Sequence, residues 1–378
     1  MTTYPTILGV EAIPIEIRGK REFAISEGQT STHKSIIIRI ITEDPNVDGV
    51  AEIVCAPPGK PEEIQHEIYG ALNAVIQSSL IGISSEDTLS ARRVINERIK
   101  GKVWTKAGLD VALHDLRAKA LGISCLSMLG AHGQDPKVPV IGTVIGIMHP
   151  DQMATRARQL SDLGFSTLKI KVGKDVSSDF ERVRCVREAV GDSVSIRVDA
   201  NDHYSPEEAI KFINKIERLN IDHVEQPISR YDILGMSEVR KSVHVPIMTD
   251  DMVSSPFDAM NIIRLNAADR VKVKVTKHGL DGAAQIVSML SAAGKRAVLG
   301  HVFETGLAAV AEAHLAMLFP DIISPHEIGS MEPLGLADNL LLESPYCNKG
   351  FITIPEGLGL GLAVNWDQVE RYRVDLSY

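Results

Sequence analysis

The chain has 378 residues, with 40 Lys and Arg against 49 Asp and Glu for a formal net charge of -9, and 44% of its residues are hydrophobic. At roughly 100–200 residues per domain this length implies two domains, or one large barrel with a smaller partner. The net-acidic balance gives no electrostatic drive toward nucleic acid or an anionic membrane.

Glu11 and Glu16 interrupt the apolar N-terminal stretch, and ~18 uncharged apolar residues never run together, so no signal peptide or membrane span is expected. Residues 1–131 then read as strands followed by helices, the pattern of a small α+β domain. Apolar, β-rich runs lie near 7–17, 35–42 (SIIIRIIT) and 50–54; Asp44-Pro45-Asn46 and Asp48-Gly49 are turn signals between the last two. Helical patterns follow near 61–78, 85–99 and 108–121. In the last, Leu109, Ala112, Leu113 and Leu116 recur at i, i+3, i+4, i+7 and define one buried face. Cys55, Cys125, Cys185 and Cys347 form no C-x-x-C pair, so they read as reduced thiols of a cytoplasmic protein and not as a disulfide framework or zinc ribbon.

A second unit, 132–330, alternates short apolar runs with amphipathic helices. Its runs are 138–146, 165–172, 194–200, 221–227, 245–251, 269–275, 296–303 and a weaker 321–327. Ser178 with Glu181, and Ser205 with Glu208 and Pro206, are helix-start signals, as is Ser255-Pro256; Gly164 and Gly191 are stops. Eight β-then-α units with strands apolar on both faces fit a closed parallel barrel of the (β/α)8 TIM type. A dinucleotide-binding sheet does not fit: Gly357-Leu-Gly-Leu-Gly361 lacks the G-x-G-x-x-G spacing and reads as a turn-rich tail.

In such a barrel function sits where the strands end. Those ends carry Lys169 and Lys171, Asp199, Glu225, Asp250 and Lys274, and from Lys171 onward the separations are 28, 26, 25 and 24 residues, about one βα unit each. A single strand lysine can be a solvated rim residue and a single carboxylate a helix cap, but a set in phase with the fold calls for a common role. Asp199, Glu225 and Asp250 come from neighbouring strands and would converge as hard oxygen ligands, which suits Mg²⁺ or Mn²⁺. Lys171 and Lys274 would face each other across the mouth. A cation and a second ammonium, from Lys169 beside Lys171 or Lys277 near Lys274, would push their pKa values down from ~10.4. A carboxylate substrate on the cation would then lose its α-proton to one lysine and receive one from the other, through a metal-stabilised enediolate.

The segments LKIKVG (168–173), RVDAN (197–201), VEQP (224–227), PIMTDD (246–251), KVTKHG (274–279), GHVFETGLAAVAEAHLA (300–316) and GFITIPEGLGLGLAVNWDQVERY (350–372) resemble the enolase superfamily. Within it they resemble the muconate lactonizing enzyme subgroup (mandelate racemase/muconate lactonizing enzyme-like), over nearly the whole chain. The resemblance implies a modified (β/α)8 TIM barrel with an α+β capping domain, built from 1–131 and from a returning C-terminal segment, 331–378. It implies Asp199, Glu225 and Asp250 as metal ligands and Lys171 and Lys274 as the acid/base pair, supported by Lys169. It also implies substrate-choosing cap loops at roughly Arg18 to Thr32 and Val54 to Pro61, with Phe23, Ile25 and Pro57-Pro58 as pocket walls, and a homodimer or octamer.

Departures from the subgroup's patterns shape the rest. Asp250-Asp251 stands where Asp-Glu is common, so the two aspartates are alternatives as ligand. His301 resembles a racemase histidine but lacks the aspartate partner on strand six, so it reads as a substrate contact, as does Asn201 of RVDAN. His326-Glu327 replaces the Asp-x-Asp of dipeptide epimerases, which argues against that reaction and offers Glu327 as a hydrogen-bonding partner of the substrate carboxylate. The leading expectation is a Mg²⁺-dependent isomerase of small carboxylates, of the muconate cycloisomerase type. A racemase or epimerase of N-acylamino acids or proline derivatives, and a dehydratase or succinylbenzoate-synthase-like lyase, are alternatives. A metal-free aldolase with a Schiff base on Lys274 and a non-catalytic binding barrel stand further off.

Overall fold

The computed structural model describes residues 4–25, 28–56, 62–131, 135–141, 144–302, 304–328, 336, 338–347 and 350–376. Strands β1 (Ile7–Ile25), β2 (Gly28–Thr42) and β3 (Gly49–Val54) form an antiparallel sheet in that order. Ile36, Ile37, Ile38 and Ile40 are all buried, which explains why β2 reads as a continuous apolar run instead of an alternating one. The Arg18–Thr32 region, expected as a loop, is largely strand: its backbone continues the β1/β2 hairpin, pairing Phe23 with Thr30 and Ile25 with Gly28. The side chains of Phe23 and Ile25, and all of Pro57-Pro58, lie outside the described residues.

Helix α1 (Gln65–Ala71) runs through a π-turn at Leu72–Ile76 into α2 (Gln77–Ser79), followed by α3 (Thr88–Arg98), α4 (Val103–Ala120) and α5 (Cys125–Met128). The α4 carboxylate of Asp115 is fully buried, yet it accepts from Val50 N (2.9 Å), Leu360 N (2.8 Å) and Lys119 Nζ (2.6 Å). It therefore joins the cap sheet to the glycine-rich tail. Gly359, at φ +65°, lies so close that a Cβ there would stand 2.1 Å from Asp115 Oδ1. The tail expected as a plain turn is thus also a docking contact.

Strands β5 (Val144–Ile145), β6 (Thr167–Lys171), β7 (Ser195–Asp199), β8 (Ile221–Glu225), β9 (Ile247–Thr249), β10 (Arg270–Val273) and β11 (Arg296–Leu299) form a parallel sheet in chain order. Helices α6 (Pro150–Asp162), α7 (Val176–Val190), α8 (Pro206–Ile216), α9 (Ile233–Ser242), α10 (Pro256–Leu265), α11 (Val275–Ala292) and α12 (Gly306–Leu318) alternate with them. Two expected strands differ. The first run splits, and β4 (Lys137–Pro139) turns away to pair antiparallel with β13 (Phe351–Thr353), itself paired with β12 (Tyr346–Cys347). The last run, 321–327, is an irregular strap in which Pro325 has no N–H to give. Ile323 N and Glu327 N still reach Ala297 O and Leu299 O on one side, at 2.9 and 3.0 Å, while Ile141 N reaches His326 O at 2.9 Å on the other. These bonds close the ring.

Ser205 and Glu208 make the expected reciprocal capping box, and Ser255 caps α10. The Ser178 signal is misplaced by three residues: Asp175 is the cap of α7, accepting from Ser177 N and Ser178 N. A carboxylate serves as well as a hydroxyl at this position. Helix α13 (Trp366–Tyr372) leads the chain back to the cap, where Val374 N donates to Pro14 O at 2.9 Å. Among the described residues Cys55, Cys125 and Cys185 are free thiols, and no helix is long and apolar enough to cross a membrane.

Candidate active site and metal centre

Residues two apart on a strand point to the same side, so Lys169 and Lys171 on β6, and Lys272 on β10 with Lys274 just beyond its end, enter the barrel in two layers. The lower layer is a closed charge network. Lys169 Nζ donates to Glu225 Oε2 (2.6 Å) and Glu327 Oε2 (3.0 Å) and lies 2.9 Å from Asp199 Oδ2. Lys272 Nζ binds the same Glu225 and Glu327 oxygens, the former at 2.7 Å, and Arg197 Nη1 holds Glu327 Oε1 at 3.1 Å. Glu327 is 0% exposed and saturated by these three cations. Its expected contact with the substrate carboxylate is therefore corrected: it neutralises the floor beneath the cleft.

The upper layer is open. Lys171 Nζ donates to Asp199 Oδ2 (2.7 Å) and Asn201 Oδ1 (2.8 Å), and Lys274 Nζ donates to Asp250 Oδ2 (2.7 Å). Gln226 accepts the Asp250 N–H on Oε1 at 2.8 Å. Asn201 and Gln226 hold φ of +41° and +38°, left-handed backbone that costs about 1–3 kcal/mol per residue and clusters at functional sites. Asp251, the alternative ligand, is instead ion-paired to Arg230 (3.0 Å) and Lys277 (3.6 Å).

Two carboxylate oxygens in this layer, Glu225 Oε1 and Asp250 Oδ1, are buried without a hydrogen-bond partner among the described residues. An unsatisfied buried carboxylate oxygen is strongly unfavourable, and Asp199, Glu225 and Asp250 together are hard oxygen donors of the kind a small divalent cation takes. A second grouping, His223, Glu225 and Glu327, also brings its ligand atoms within 4.8 Å of one another. There Glu327 is already neutralised and neither it nor His223 lines the cleft, so the row from Asp199 to Asp250 is the better fit.

Burial lowers Lys171, and Lys169 adds to this against the pull of Asp199. Burial acts the same way on Lys274, but Asp250 and Asp251 outweigh it and hold that ammonium above its ordinary value. The two lysines thus shift in opposite directions through the carboxylates beside them, and a cation on Asp199, Glu225 and Asp250 would offset the raising pull. Burial, reinforced by Asp199, raises Glu225 to about 7. His301 is lowered to about 3, first by burial and then by Lys169, so its imidazole is neutral.

A cleft opens over the site, walled by Lys169, Lys171, Asp199, Asn201, Glu225, Asp250, Asp251, Lys272, Lys274 and His301, with Trp104 and Glu62 from the cap and Val144 and Val302 from the barrel. Sequence reasoning missed Lys272, Arg197, Trp104 and Glu62. Lys272 had a usable signal, since it precedes Lys274 as Lys169 precedes Lys171; the cap residues had none, because only folding brings them over the barrel.

Residues 152–368 match an enolase C-terminal domain-like family model, and residues 11–130 match the mandelate racemase / muconate lactonizing enzyme N-terminal domain. The L-Ala-D/L-Glu epimerase of Clostridium acetobutylicum is 30% identical over 359 residues, 94% of this chain and 97% of the relative. Muconate cycloisomerase 1 of Acinetobacter baylyi is 26% identical, covering 96% and 98%. The crystal structure of a dipeptide epimerase from Cytophaga hutchinsonii, complexed with Mg and the dipeptide D-Ala-L-Val, superposes with a TM-score of 0.89 at 29% identity and covers 98% of each chain.

Proposed function

This chain belongs to the enolase superfamily, in its muconate lactonizing enzyme-like subgroup, and from that premise we propose that it is a divalent-metal-dependent racemase or epimerase. Its substrate class is an α-amino acid with a free carboxylate and an acylated nitrogen, as in an N-acylamino acid or a dipeptide; the dipeptide, disfavoured from sequence by His326-Glu327, is readmitted because dipeptide epimerases are among the relatives this chain matches. The observation that carries this reading is the placement of Lys171 and Lys274 at the ends of β6 and β10, with three strands between them, on either side of the carboxylate row. Inverting a stereocentre requires a proton acceptor on one face and a donor on the other.

Asp199, Glu225 and Asp250 are the residues that would hold Mg²⁺, or Mn²⁺ in its place. When bound, the cation supplies charge that acidifies the proton α to a carboxylate. Lys171, oriented by Asn201 and Asp199 and lowered by burial, accepts the α-proton on its face. Lys274, kept charged by Asp250 and Asp251, delivers a proton on the opposite face; the roles exchange for the other enantiomer. Neutral His301 offers a hydrogen bond without adding charge, and Trp104, Val144 and Val302 keep water from the reacting centre.

Muconate-type cycloisomerisation, the first expectation from sequence, takes second place because an epimerase and a racemase match this chain at 30% and 29% identity against 26% for a muconate cycloisomerase, whose likeness keeps it as the second reading. A Schiff-base aldolase is disfavoured, since a metal-free imine mechanism on Lys274 gives no role to the row of Asp199, Glu225 and Asp250 beside it. The test is α-proton exchange in D₂O with added Mg²⁺ over dipeptides, N-acylamino acids, proline derivatives and muconates. Deuterium entering the α-position from both enantiomers of an acylated amino acid is expected. A lactone from muconate, with no exchange in any amino-acid derivative, would overturn the reading.

A further inference from the structure

Arg230 lies in the loop after β8, with its side chain 7% exposed, and its guanidinium gathers acids from three other segments. Nη1 meets Glu62 Oε1 of the cap at 2.7 Å, Nη2 meets Asp251 Oδ2 at 3.0 Å, and Nε meets Asp202 Oδ2. Asp202 and Asp251 stand just beyond Asp199 and Asp250, so the guanidinium ties the cap to the part of the mouth where the carboxylate row is set. A planar fork of five donors suits such a three-way clamp, which a single ammonium cannot reproduce. Arg230 does not itself line the cleft, but Glu62 does, and Glu62 Oε2 is buried without a partner among the described residues. Three carboxylates share one guanidinium, and Lys277 adds a 3.6 Å contact to Asp251.

We infer that Arg230 is a positioning residue for substrate recognition: it pins Glu62 over the barrel mouth so that Oε2 is presented to the cleft as the acceptor for a hydrogen-bond donor on the substrate. The inference rests on the proposed reaction only in placing the substrate in this cleft. A donor remote from the reacting carboxylate, best a cationic one, is bound there, and the contact favours substrate and transition state alike.

The test compares Glu62→Gln, Arg230→Lys and the double variant with the native enzyme. Using the fastest substrate of the exchange panel, each single variant raises KM about tenfold with kcat kept within about twofold, and the double variant is no worse than either. A fall in kcat at unchanged KM, or effects that multiply in the double variant, would overturn the inference. Calorimetry with Mg²⁺ alone shows unchanged affinity in Glu62→Gln; a loss confined to Arg230→Lys would instead make Arg230 a support of Asp250. Amide hydrogen exchange, which needs no substrate, is faster over residues 62–71 in both single variants and no faster in the double. Unchanged exchange there refutes the pinning, whereas a panel without any turnover counts against the proposed reaction.

Discussion

Lys171 and Lys274 stand at opposite ends of one row of carboxylates, each donating at 2.7 Å to a terminal member of it, Asp199 for the first and Asp250 for the second. The ring of parallel strands sets this relationship, because β6 and β10 are the strands separated by β7, β8 and β9.

Replacing either lysine removes one face of the chemistry. Lys171→Ala and Lys274→Ala should each slow racemisation about 10²–10⁴-fold, the range for a lost general acid or base. The check is stereospecific: each variant should still exchange the α-proton of one enantiomer faster than the other, with an unchanged circular dichroism spectrum. Native turnover in both variants would sink the two-lysine reading.

Chelation tests the carboxylate row. EDTA should abolish exchange and Mg²⁺ restore it, and Glu225→Gln or Asp250→Asn should weaken Mg²⁺ binding at least about tenfold by calorimetry, since each removes a charged oxygen. A His223→Ala variant should bind Mg²⁺ normally; if it alone lost binding, the alternative grouping with Glu225 and Glu327 would be the metal site.

Lys272 is predicted to matter first for folding. It is 1% exposed and shared by Glu225 and Glu327, so Lys272→Met leaves buried negative charge uncompensated, at a cost of about 3–5 kcal/mol. Urea denaturation measures this directly, and a variant as stable as the native protein would show that Lys169 and Arg197 suffice.

Gly279 interrupts α11 at φ +68°, and a Cβ there would stand 2.6 Å from Asp110 Oδ2. That oxygen accepts from Leu280 N (2.8 Å) and Asp281 N (3.1 Å), capping the second part of a barrel helix from the cap domain. Gly279→Ala should therefore destabilise by about 1–3 kcal/mol through strain and a displaced cap. Thermal unfolding reads the loss.

Glu304 and Glu312 are both fully buried; burial raises Glu304 to about 7, and burial reinforced by Glu304 raises Glu312 well above the carboxylate range. A folded pKa above the unfolded value of ~4.3 gives stability that is complete below that value and lost as pH rises through the folded pKa. The share of native stability that these two groups supply should fall between about pH 4.3 and 7, and further above it as Glu312 ionises. Denaturation of Glu304→Gln and Glu312→Gln at pH 5 and 8 checks this: relative to the native protein each variant should gain stability at pH 8 over pH 5, and an unchanged difference between the two pH values would contradict it.

Local sequence determined a good deal. Strand ends spaced by one βα unit placed Lys169, Lys171, Asp199, Glu225, Asp250 and Lys274 at one mouth, because a parallel strand and its helix take a nearly constant length of chain. The apolar run of β2 and the Ser205 box were equally local and equally legible. What depended on distant partners was not. Glu327 ends a strand segment as the others do, yet only the packed barrel sets it under three cations and out of the cleft. Asp250 and Asp251 are indistinguishable as neighbours until Arg230, from the loop after β8, claims the second. The strap that closes the ring, the tail glycines on Asp115, and Glu62 and Trp104 over the cleft follow from contacts between segments far apart in the chain. Periodicity reports which way a side chain points; burial, charge pairing and the choice of ligand are decided by which other side chains arrive at the same place.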